Sequence, residues 1–209
     1  MSVLHKIAYF RNRRDEVPNQ ELARELAETR NLEGIREIAD NLGHKNSNVQ
    51  SDCLKVLYEI GYLAPDLIAG YVDRFLALLQ HKNNRMVWGS MIALATISEL
   101  KPIEIWNDVD TVIEVMDKGT LITVVWGVKT LAVVASTDKS RCERLFPILM
   151  KTLQNCLPRD VPMHAESILR TVDASNKAEF LAVLESRKAG MTASQLARLR
   201  RVIRQVETQ

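Results

Sequence analysis

The sequence predicts an all-α solenoid, a stack of helix pairs that share one continuous core. Two observations support this prediction: a motif that recurs at a fixed interval, and an apolar periodicity typical of one helix face. Shifting the chain by 37 residues (42 to 79) lays Leu42-Gly43-His44-Lys45-Asn46 over Leu79-Gln80-His81-Lys82-Asn83 and carries Pro65 onto Pro102. A repeat of about this length is typical of stacked helical units.

Each predicted second helix of a pair carries apolar residues at positions 0, 4, 7, 8 and 11, which share one face at about 100° per residue. Four successive segments meet this spacing, and a fifth meets it except for Gln195 at its first position. The predicted core residues are Val49, Cys53, Val56, Leu57 and Ile60; Met86, Ser90, Ala93, Leu94 and Ile97; Val124, Val128, Leu131, Ala132 and Ala135; Val161, Ala165, Ile168, Leu169 and Val172; and Leu199, Val202, Ile203 and Val206.

Caps and helix breakers place the boundaries of the helices. Pro18-Asn19 opens a helix that extends through Thr29, and Asn31 caps the next one. Residues 46–48 and 81–84 form the turns between paired helices. Thr192 and Gln195 have the spacing of a capping box, which predicts the start of the last helix.

Two prolines interrupt the pattern near its C-terminal end. Pro158 and Pro162 are predicted to bend the stack or to splay the fourth unit. We find no other break in composition, so we predict one repeat domain over residues 1–209. Capping helices occupy 1–31, the repeats occupy 32–191, and a C-terminal capping helix occupies 192–209.

The second-helix pattern resembles that of HEAT-like repeats, in which Val-Arg is followed by Ala and Ala-Leu at helical spacing. Met86, Ala93 and Leu94 follow the apolar part of this pattern, and the resemblance covers roughly residues 32 to 207. It implies a right-handed α-solenoid of four to five helix pairs. It also implies that the second helices line the concave surface.

The resemblance implies that two Val-Trp-Gly triplets, at residues 87–89 and 125–127, lie on that surface. Trp88 and Trp126 stand 38 residues apart, and each points away from the core positions of its own helix. Trp and Met are enriched in interface cores, and apolar patches rarely stay uncovered. Two alternatives stay open: a partner covers the tryptophans, or a tightly curved superhelix or the folded-back N-terminus buries them. The predicted partner-binding residues are Trp88, Trp126, Tyr58, Met91, Ile92, Val133 and Met163.

Glycine follows each of these tryptophans. Gly89 and Gly127 each cost a helix about 1 kcal/mol relative to alanine. Two such costs in register predict a close approach, either by the neighbouring helix or by the backbone of a ligand.

Composition narrows the classes of function. The 209 residues are 46% hydrophobic and 26% charged with a net charge of +2, so the chain is globular and nothing requires a nucleic-acid or membrane partner. Cys53, Cys142 and Cys156 form no Cys-x-x-Cys pair and indicate reduced thiols. With no signal peptide or membrane span indicated, we expect a cytoplasmic protein.

No motif for a phosphate loop, a metal site or a catalytic nucleophile is present, and the four histidines are scattered along the sequence. We therefore predict neither a cofactor nor a metal. His44 and His81 recur in phase and are predicted to form hydrogen bonds within turns.

One short segment suggests an enzyme. Trp106-Asn107-Asp108-Val109-Asp110 resembles the Trp-x-x-x-Asp element of helical-repeat DNA alkylation-repair glycosylases, in which the aromatic residue and the carboxylate share a helical face. The resemblance implies that Asp110 stabilises a cationic sugar while Trp106 stacks on the damaged base. In the alternative, Trp106 packs between helices and Asp110 favours a helix N-terminus.

The sequence favours a non-catalytic interaction scaffold, which binds a protein partner or a second copy of the chain in the groove. Binding or repair of damaged DNA is the alternative. The predicted groove positions carry only Lys55, Lys129 and Arg170 as cations, which favours the protein partner over nucleic acid.

Overall fold

The computed structural model describes residues 2–208, and this range consists of α-helices, short 3₁₀ turns and connecting segments without a β-strand. The all-α prediction is therefore confirmed. The helices are α1 (Val17–Glu28), α2 (Leu32–Asp40), α3 (Ser47–Leu63), α4 (Val72–Leu78), α5 (Asn84–Ile97), α6 (Pro102–Asn107), α7 (Val109–Lys118), α8 (Leu121–Ala135), α9 (Lys139–Asn155), α10 (Val161–Ile168), α11 (Lys177–Ser186) and α12 (Ala193–Glu207).

The chain divides into two compact units, a first unit (Met1–Gly127) and a second unit (Val128–Gln209), and the boundary falls inside α8. The assignment of one repeat domain over residues 1–209 stays a prediction.

In the first unit, α3 packs against both α1 and α5, while α2 packs on α3 and α4 packs on α5. All ten predicted core positions of α3 and α5 are buried, from Val49 to Ile60 and from Met86 to Ile97. Val124, in the first turn of α8, is only half-buried. The periodicity of the sequence thus identifies the packed face of the two central helices.

A repeated turn starts both central helices. His44 Nδ1 accepts the N–H of Asn46 at 3.0 Å, and the Asn46 side chain accepts an N–H from the first turn of α3 at 2.9 Å. His81 and Asn83 repeat both bonds, at the same two distances, before α5. The predicted turn role of the two histidines is confirmed, and it explains why the motif recurs: it fixes the start of each second helix.

The first helices of the second and third repeats are divided into shorter pieces. Two 3₁₀ turns, Pro65–Leu67 and Ala69–Tyr71, precede α4. In the next repeat α6 ends at Asn107 and α7 begins at Val109, with Asp108 at φ −109° and ψ 20° between them. Asn and Asp favour helix ends over helix interiors because their side chains compete for backbone hydrogen bonds. These repeats therefore contain a short helical segment before each predicted pair.

In the second unit, α10 packs on α9 and α12, and α11 packs on α9 and α12. Eleven predicted core positions from Val128 to Val206 are buried. Leu169 and Val172, predicted to be core, are only half-buried. The reason is that α10 ends at Ile168 and continues as a 3₁₀ turn over Leu169–Thr171, where three residues complete a turn and the apolar period of the α-helix no longer applies.

The predicted caps are confirmed. Asn31 Oδ1 accepts the N–H of Gly34 at 2.9 Å at the start of α2. Thr192 and Gln195 form a capping box, with the Thr192 N–H donated to Gln195 Oε1 at 2.8 Å. Pro162 lies in the first turn of α10, where a missing N–H costs no intrahelical bond.

The three cysteines are free thiols. Cys53 is fully buried on the core face of α3, and burial raises its pKa to about 12, so the thiol stays protonated. Cys142 and Cys156 are half-buried. Across residues 2–208 no helix combines the length and the apolar run that crossing a bilayer requires.

Candidate protein-binding groove

A cavity of about 540 Å³ lies in the first unit between the N-terminal segment and helices α1, α3 and α5. One face of α3 supplies Asn48, Asp52, Lys55 and Tyr58, which follow one another at intervals of three or four residues and therefore line up along the helix. Helix α5 supplies Arg85 and Trp88, again one turn apart. The second helices thus provide one part of the lining, and the N-terminal segment and α1 provide the other part.

The N-terminal segment closes one end of the cavity. The N–H of Ala8 is donated to Asn19 Oδ1 at 2.9 Å, and the N–H of Tyr9 is donated to Asp52 Oδ2 at 2.7 Å. Asn19 in turn donates to Asp52 Oδ1 at 2.9 Å. Asn46 donates to the Tyr9 hydroxyl at 2.8 Å. Side chains of α1 and α3 therefore bind the main chain of a peptide segment that lies against them.

Lys55 fixes the same segment electrostatically. Its ammonium lies 2.8 Å from Glu16 and 2.6 Å from Glu59, and 4.8 Å from the centre of the Tyr58 ring. The Lys55 side chain is only 11% exposed. Burial alone lowers the pKa of Lys55, but the hydrogen bonds to the two carboxylates outweigh it and raise the pKa above the ordinary value of lysine. Lys55 therefore stays charged and paired with Glu16 and Glu59.

Four aromatic rings continue from the cavity and form the aromatic cluster, defined by Trp88, Tyr58, Tyr62 and Trp126. Ring centroids are 6.3 Å apart for Trp88 and Tyr58, 6.1 Å for Tyr58 and Tyr62, and 5.7 Å for Tyr62 and Trp126. These tilted and edge-on contacts are favourable aromatic geometries. Because Tyr58 and Trp88 also line the cavity, the cavity and the aromatic cluster form one continuous surface, which we call the groove.

The cluster is only partly covered. Tyr62 is 46% exposed, and Trp88 and Trp126 are half-buried. Tyr58 is buried at 5% exposure, so its predicted exposure is wrong: the neighbouring Trp88 and Tyr62 rings pack against it. Burial raises the pKa of Tyr62 to about 12, and the nearby Tyr58 and Glu59 act in the same direction. The phenol is therefore neutral at physiological pH and presents an aromatic face with one hydroxyl at its edge.

The glycines after the tryptophans accommodate helices of the same chain. A Cβ on Gly89 would lie 2.7 Å from Leu54 Cδ2 on α3, and one on Gly127 would lie 2.8 Å from Met116 Cγ on α7. Of the two alternatives for the close approach, the neighbouring helix is therefore the one observed. Gly89 lets α3 and α5 come close enough for Tyr58 and Trp88 to touch.

The structure brings together part of the predicted partner-binding set. Trp88 and Trp126 lie half-exposed on the groove, joined through Tyr58 and Tyr62. Met91 and Ile92 are buried, at 0% and 5% exposure, so their predicted exposure is wrong. A helix that is apolar on all sides needs cover on all sides, and here neighbouring helices of the chain cover these two residues.

Two predicted residues lie in the second unit. Val133 is 4% exposed, so its predicted exposure is also wrong, and Met163 is half-buried on α10.

Sequence reasoning missed most of the residues that line the groove, among them Tyr62, Arg85 and Arg14. Tyr62 is the most exposed ring of the aromatic cluster, and its signal was its position one helical turn after Tyr58. Arg85 follows Asn84 in the first turn of α5, where the repeat lays it over Asn48. Arg14 belongs to the N-terminal segment, and its contribution to the cavity depends on a fold-back that no periodicity predicts.

The two residues of the glycosylase-like element do not share a helix face. Trp106 lies near the end of α6, and Asp110 lies in the first turn of α7. The helix break at Asp108 separates them, which removes the geometry on which that resemblance depends. Asp108 makes no side-chain cap, whereas Asp110 occupies a first-turn position that a helix dipole favours.

Within residues 2–208, no group of three or more His, Cys, Asp and Glu side chains is arranged to hold a metal ion.

Comparison with known proteins identifies the fold. No family model matches the sequence, and neither does any curated protein. An engineered protein of known crystal structure is similar at a TM-score of 0.67 and 17% identity, over 100% of this chain and 98% of that one. A designed armadillo repeat protein in complex with the peptide (KR)4 is similar at 0.69 and 14% identity, over 90% and 86% of the two chains.

Computationally designed armadillo repeat proteins for modular peptide recognition are similar at a TM-score of 0.66 and 13% identity, over 92% of this chain and 94% of that one. Identities this low show the fold alone. The protein has the all-α, armadillo-like architecture of a helical-repeat solenoid.

Proposed function

We propose that the protein is a non-catalytic interaction module that binds a peptide segment of a partner protein in the groove of the first unit. The observation that carries the proposal is the aromatic cluster. Trp88, Tyr62 and Trp126 are partly exposed: Tyr58 joins Trp88 to Tyr62, and Tyr62 contacts Trp126 directly. Close helix packing at Gly89 and Gly127 lies beside both tryptophans. Rigid aromatic anchors of this kind dominate the energetics of protein interfaces.

The polar end of the groove supports a peptide as the occupant. Asn19 and Asp52 already accept main-chain N–H groups from Ala8 and Tyr9. A surface that hydrogen-bonds the main chain and offers aromatic rings beside it suits an extended or turned segment of protein. The armadillo neighbours, one in complex with a peptide and one designed for peptide recognition, make the same use of this fold.

The finer expectations are part of this proposal. The HEAT-like assignment of the repeats and a cytoplasmic location agree with the helical-repeat fold and with three free cysteines. Either a different protein or a second copy of the chain could supply the bound segment. Nothing in the groove favours DNA repair as a second candidate, because Trp106 and Asp110 lie on separate helices.

The test is selection from an unbiased library of short displayed peptides with the purified full-length protein. Enriched peptides are then synthesised with a fluorophore and titrated. Tyr62→Ala and Trp88→Ala should each weaken binding by about tenfold or more, as expected for aromatic anchors in an interface. Tyr71→Ala is the matched control, since Tyr71 is a half-buried tyrosine that stacks on Arg74 and does not line the groove.

Two results would overturn the proposal. The library could yield no peptide that binds in solution, or the enriched peptides could bind the Tyr62 and Trp88 variants as well as the Tyr71 control. Light scattering of the free protein tests the second-copy form of the proposal, because Tyr62→Ala should then shift a dimer to the monomer.

A further inference from the structure

We propose that the occupant of the groove is an acidic peptide segment, in which Asp or Glu stands beside an apolar or aromatic residue. The inference rests on the proposed function and adds the charge of the partner. Arg14 and Arg85 both line the cavity, and both are exposed. Neither side chain makes an ion pair or hydrogen bond with any other group in residues 2–208.

The acidic side chains of the cavity are already engaged within the chain. Asp15 pairs with Arg13 at 2.7 Å, and Glu16 pairs with Lys55 at 2.8 Å. Both carboxylate oxygens of Asp52 accept hydrogen bonds, from Asn19 and from the N–H of Tyr9. A bound segment would therefore meet two guanidinium groups that have no partner, whereas the carboxylates of the cavity are all engaged already.

The position of Arg85 strengthens the preference for an anion. It lies in the first turn of α5, where the helix dipole adds positive potential, and its own backbone N–H is donated to the Asn83 side chain that caps the helix. Guanidinium binds carboxylate in a planar, two-point arrangement that suits specific recognition.

Trp88 follows Arg85 by three residues and so lies on the same helix face. One turn of α5 thus offers a cation next to an aromatic ring. The complementary peptide carries a carboxylate next to an apolar side chain, which would reach the aromatic cluster while the carboxylate contacts Arg85 and Arg14. The designed armadillo protein in complex with (KR)4 holds a basic peptide, and the groups without partners in this groove predict the opposite preference.

Nucleic acid is the other anionic polymer that this groove could attract. A phosphate backbone presents a charge at every nucleotide and would meet Asp15, Glu16 and Asp52 as well as the arginines. Sparse carboxylates separated by apolar residues fit the alternation of charge and aromatic surface better. The observations therefore favour the peptide.

The experiment compares selection from the random peptide library on the wild-type protein and on the double variant Arg14→Glu/Arg85→Glu. Acidic residues should be enriched by the wild type and lost from the selection on the variant. Synthetic versions of an enriched peptide, with its Asp and Glu changed to Asn and Gln, should bind the wild type several-fold more weakly. The charge reversal should weaken binding of the acidic peptide by about tenfold and by no more than about 25-fold, since each of the two exposed ion pairs contributes up to about fivefold.

The control is Arg36→Glu/Arg200→Glu, the same change of charge at two exposed arginines outside the cavity. It should leave the affinity for the acidic peptide within about twofold, because neither arginine lines the cavity and exposed surface charges are screened by salt. Circular dichroism of both double variants checks that they are folded.

The outcomes separate this inference from the proposed function. Neutral or basic peptides that bind in a manner dependent on Trp88 would overturn the acidic preference and leave peptide binding standing. An acidic peptide that binds both double variants with equal affinity would also overturn the acidic preference and leave peptide binding standing. Failure of every peptide to bind in a manner dependent on Trp88 would overturn both. A single-stranded oligonucleotide that competes as strongly as the acidic peptide would overturn the peptide as partner.

Discussion

Replacing Gly89 with alanine tests the close approach of α3 and α5 that positions the aromatic cluster. The new Cβ would lie 2.7 Å from Leu54 Cδ2 and 3.1 Å from Leu54 Cγ, whereas carbon atoms in ordinary contact are about 3.5–4.0 Å apart. Leu54 is 1% exposed and therefore has little room to move. The same Cβ would lie 3.7 Å from Tyr58 Cε1, an ordinary contact.

Two effects of opposite sign set the magnitude. Alanine in place of glycine favours a helix by about 1 kcal/mol. Overpacking a close-packed interior costs about 1–3 kcal/mol. We therefore expect Gly89→Ala to lower the free energy of unfolding by about 0–2 kcal/mol. Gly70→Ala is the matched control, because nothing lies within 4 Å of the added Cβ at that position, and it should be neutral or up to about 1 kcal/mol more stable.

Urea unfolding followed by tryptophan fluorescence measures this difference. All three tryptophans, Trp88, Trp106 and Trp126, lie in the first unit, so the signal reports the unit that contains the groove. Gly89→Ala should also weaken binding of the selected peptides, because displacement of α3 moves Tyr58 away from Trp88. If Gly89→Ala proved about 1 kcal/mol more stable than the wild type, the two helices would lie farther apart than described, and the reasoning would fail.

Three further predictions follow from the same structure. Leu94→Ala should lower the free energy of unfolding by about 2–5 kcal/mol as a truncation in the core. Trp88→Ala should lower it clearly less, because that ring is half-exposed. Equal losses, measured by circular dichroism in urea, would place Trp88 in the core. Burial alone raises the pKa of Glu37, but hydrogen bonds from Ser2 and Val3 outweigh it and lower the pKa, so its stabilising contribution is complete above about pH 4.3 and is lost as the pH falls. Glu37→Gln should therefore reduce the loss of stability as the pH falls below about pH 5, and an unchanged slope would contradict this. Asp110→Asn should change stability by no more than about 1 kcal/mol, and incubation of the wild type with alkylated DNA should release no bases; release that depends on Asp110 would contradict the non-catalytic function.

Local chemistry explains which parts of the fold could be predicted from the sequence. The core face of α3 and α5 follows from helical periodicity, and the starts of both helices follow from a His-Lys-Asn turn whose bonds span only two residues. The capping box at Thr192 is equally local. Leu169 departs from the predicted core face because a change from α-helix to 3₁₀ geometry alters the period without changing the apolar pattern.

The groove depends on contacts between residues distant in the sequence. The predictions of exposure were wrong where such contacts bury a residue. Met91 and Ile92 look exposed on a helical wheel because a wheel describes one helix and contains no neighbours. Tyr62 and Trp126 touch although they lie on α3 and α8, and the N-terminal segment reaches Asp52 across more than forty residues. Pairings of this kind leave no periodic signal, so the sequence could indicate the surface of α5 but not which of its residues stay accessible.

In the Val-Trp-Gly triplet, the tryptophan and the glycine act together to build the aromatic surface. Glycine removes the Cβ that would hold α3 and α5 apart at Leu54, and the resulting approach brings the Tyr58 ring to the ring of Trp88. A tryptophan that packs on its neighbour keeps one orientation and therefore loses less side-chain entropy when a partner binds. Gly127 permits a similar approach to Met116, beside the tryptophan at the other end of the aromatic cluster. Each glycine thus lowers the stability of its helix, but it also allows the close packing that keeps the aromatic surface rigid. Rigidity of this surface is the property that a peptide-binding groove requires.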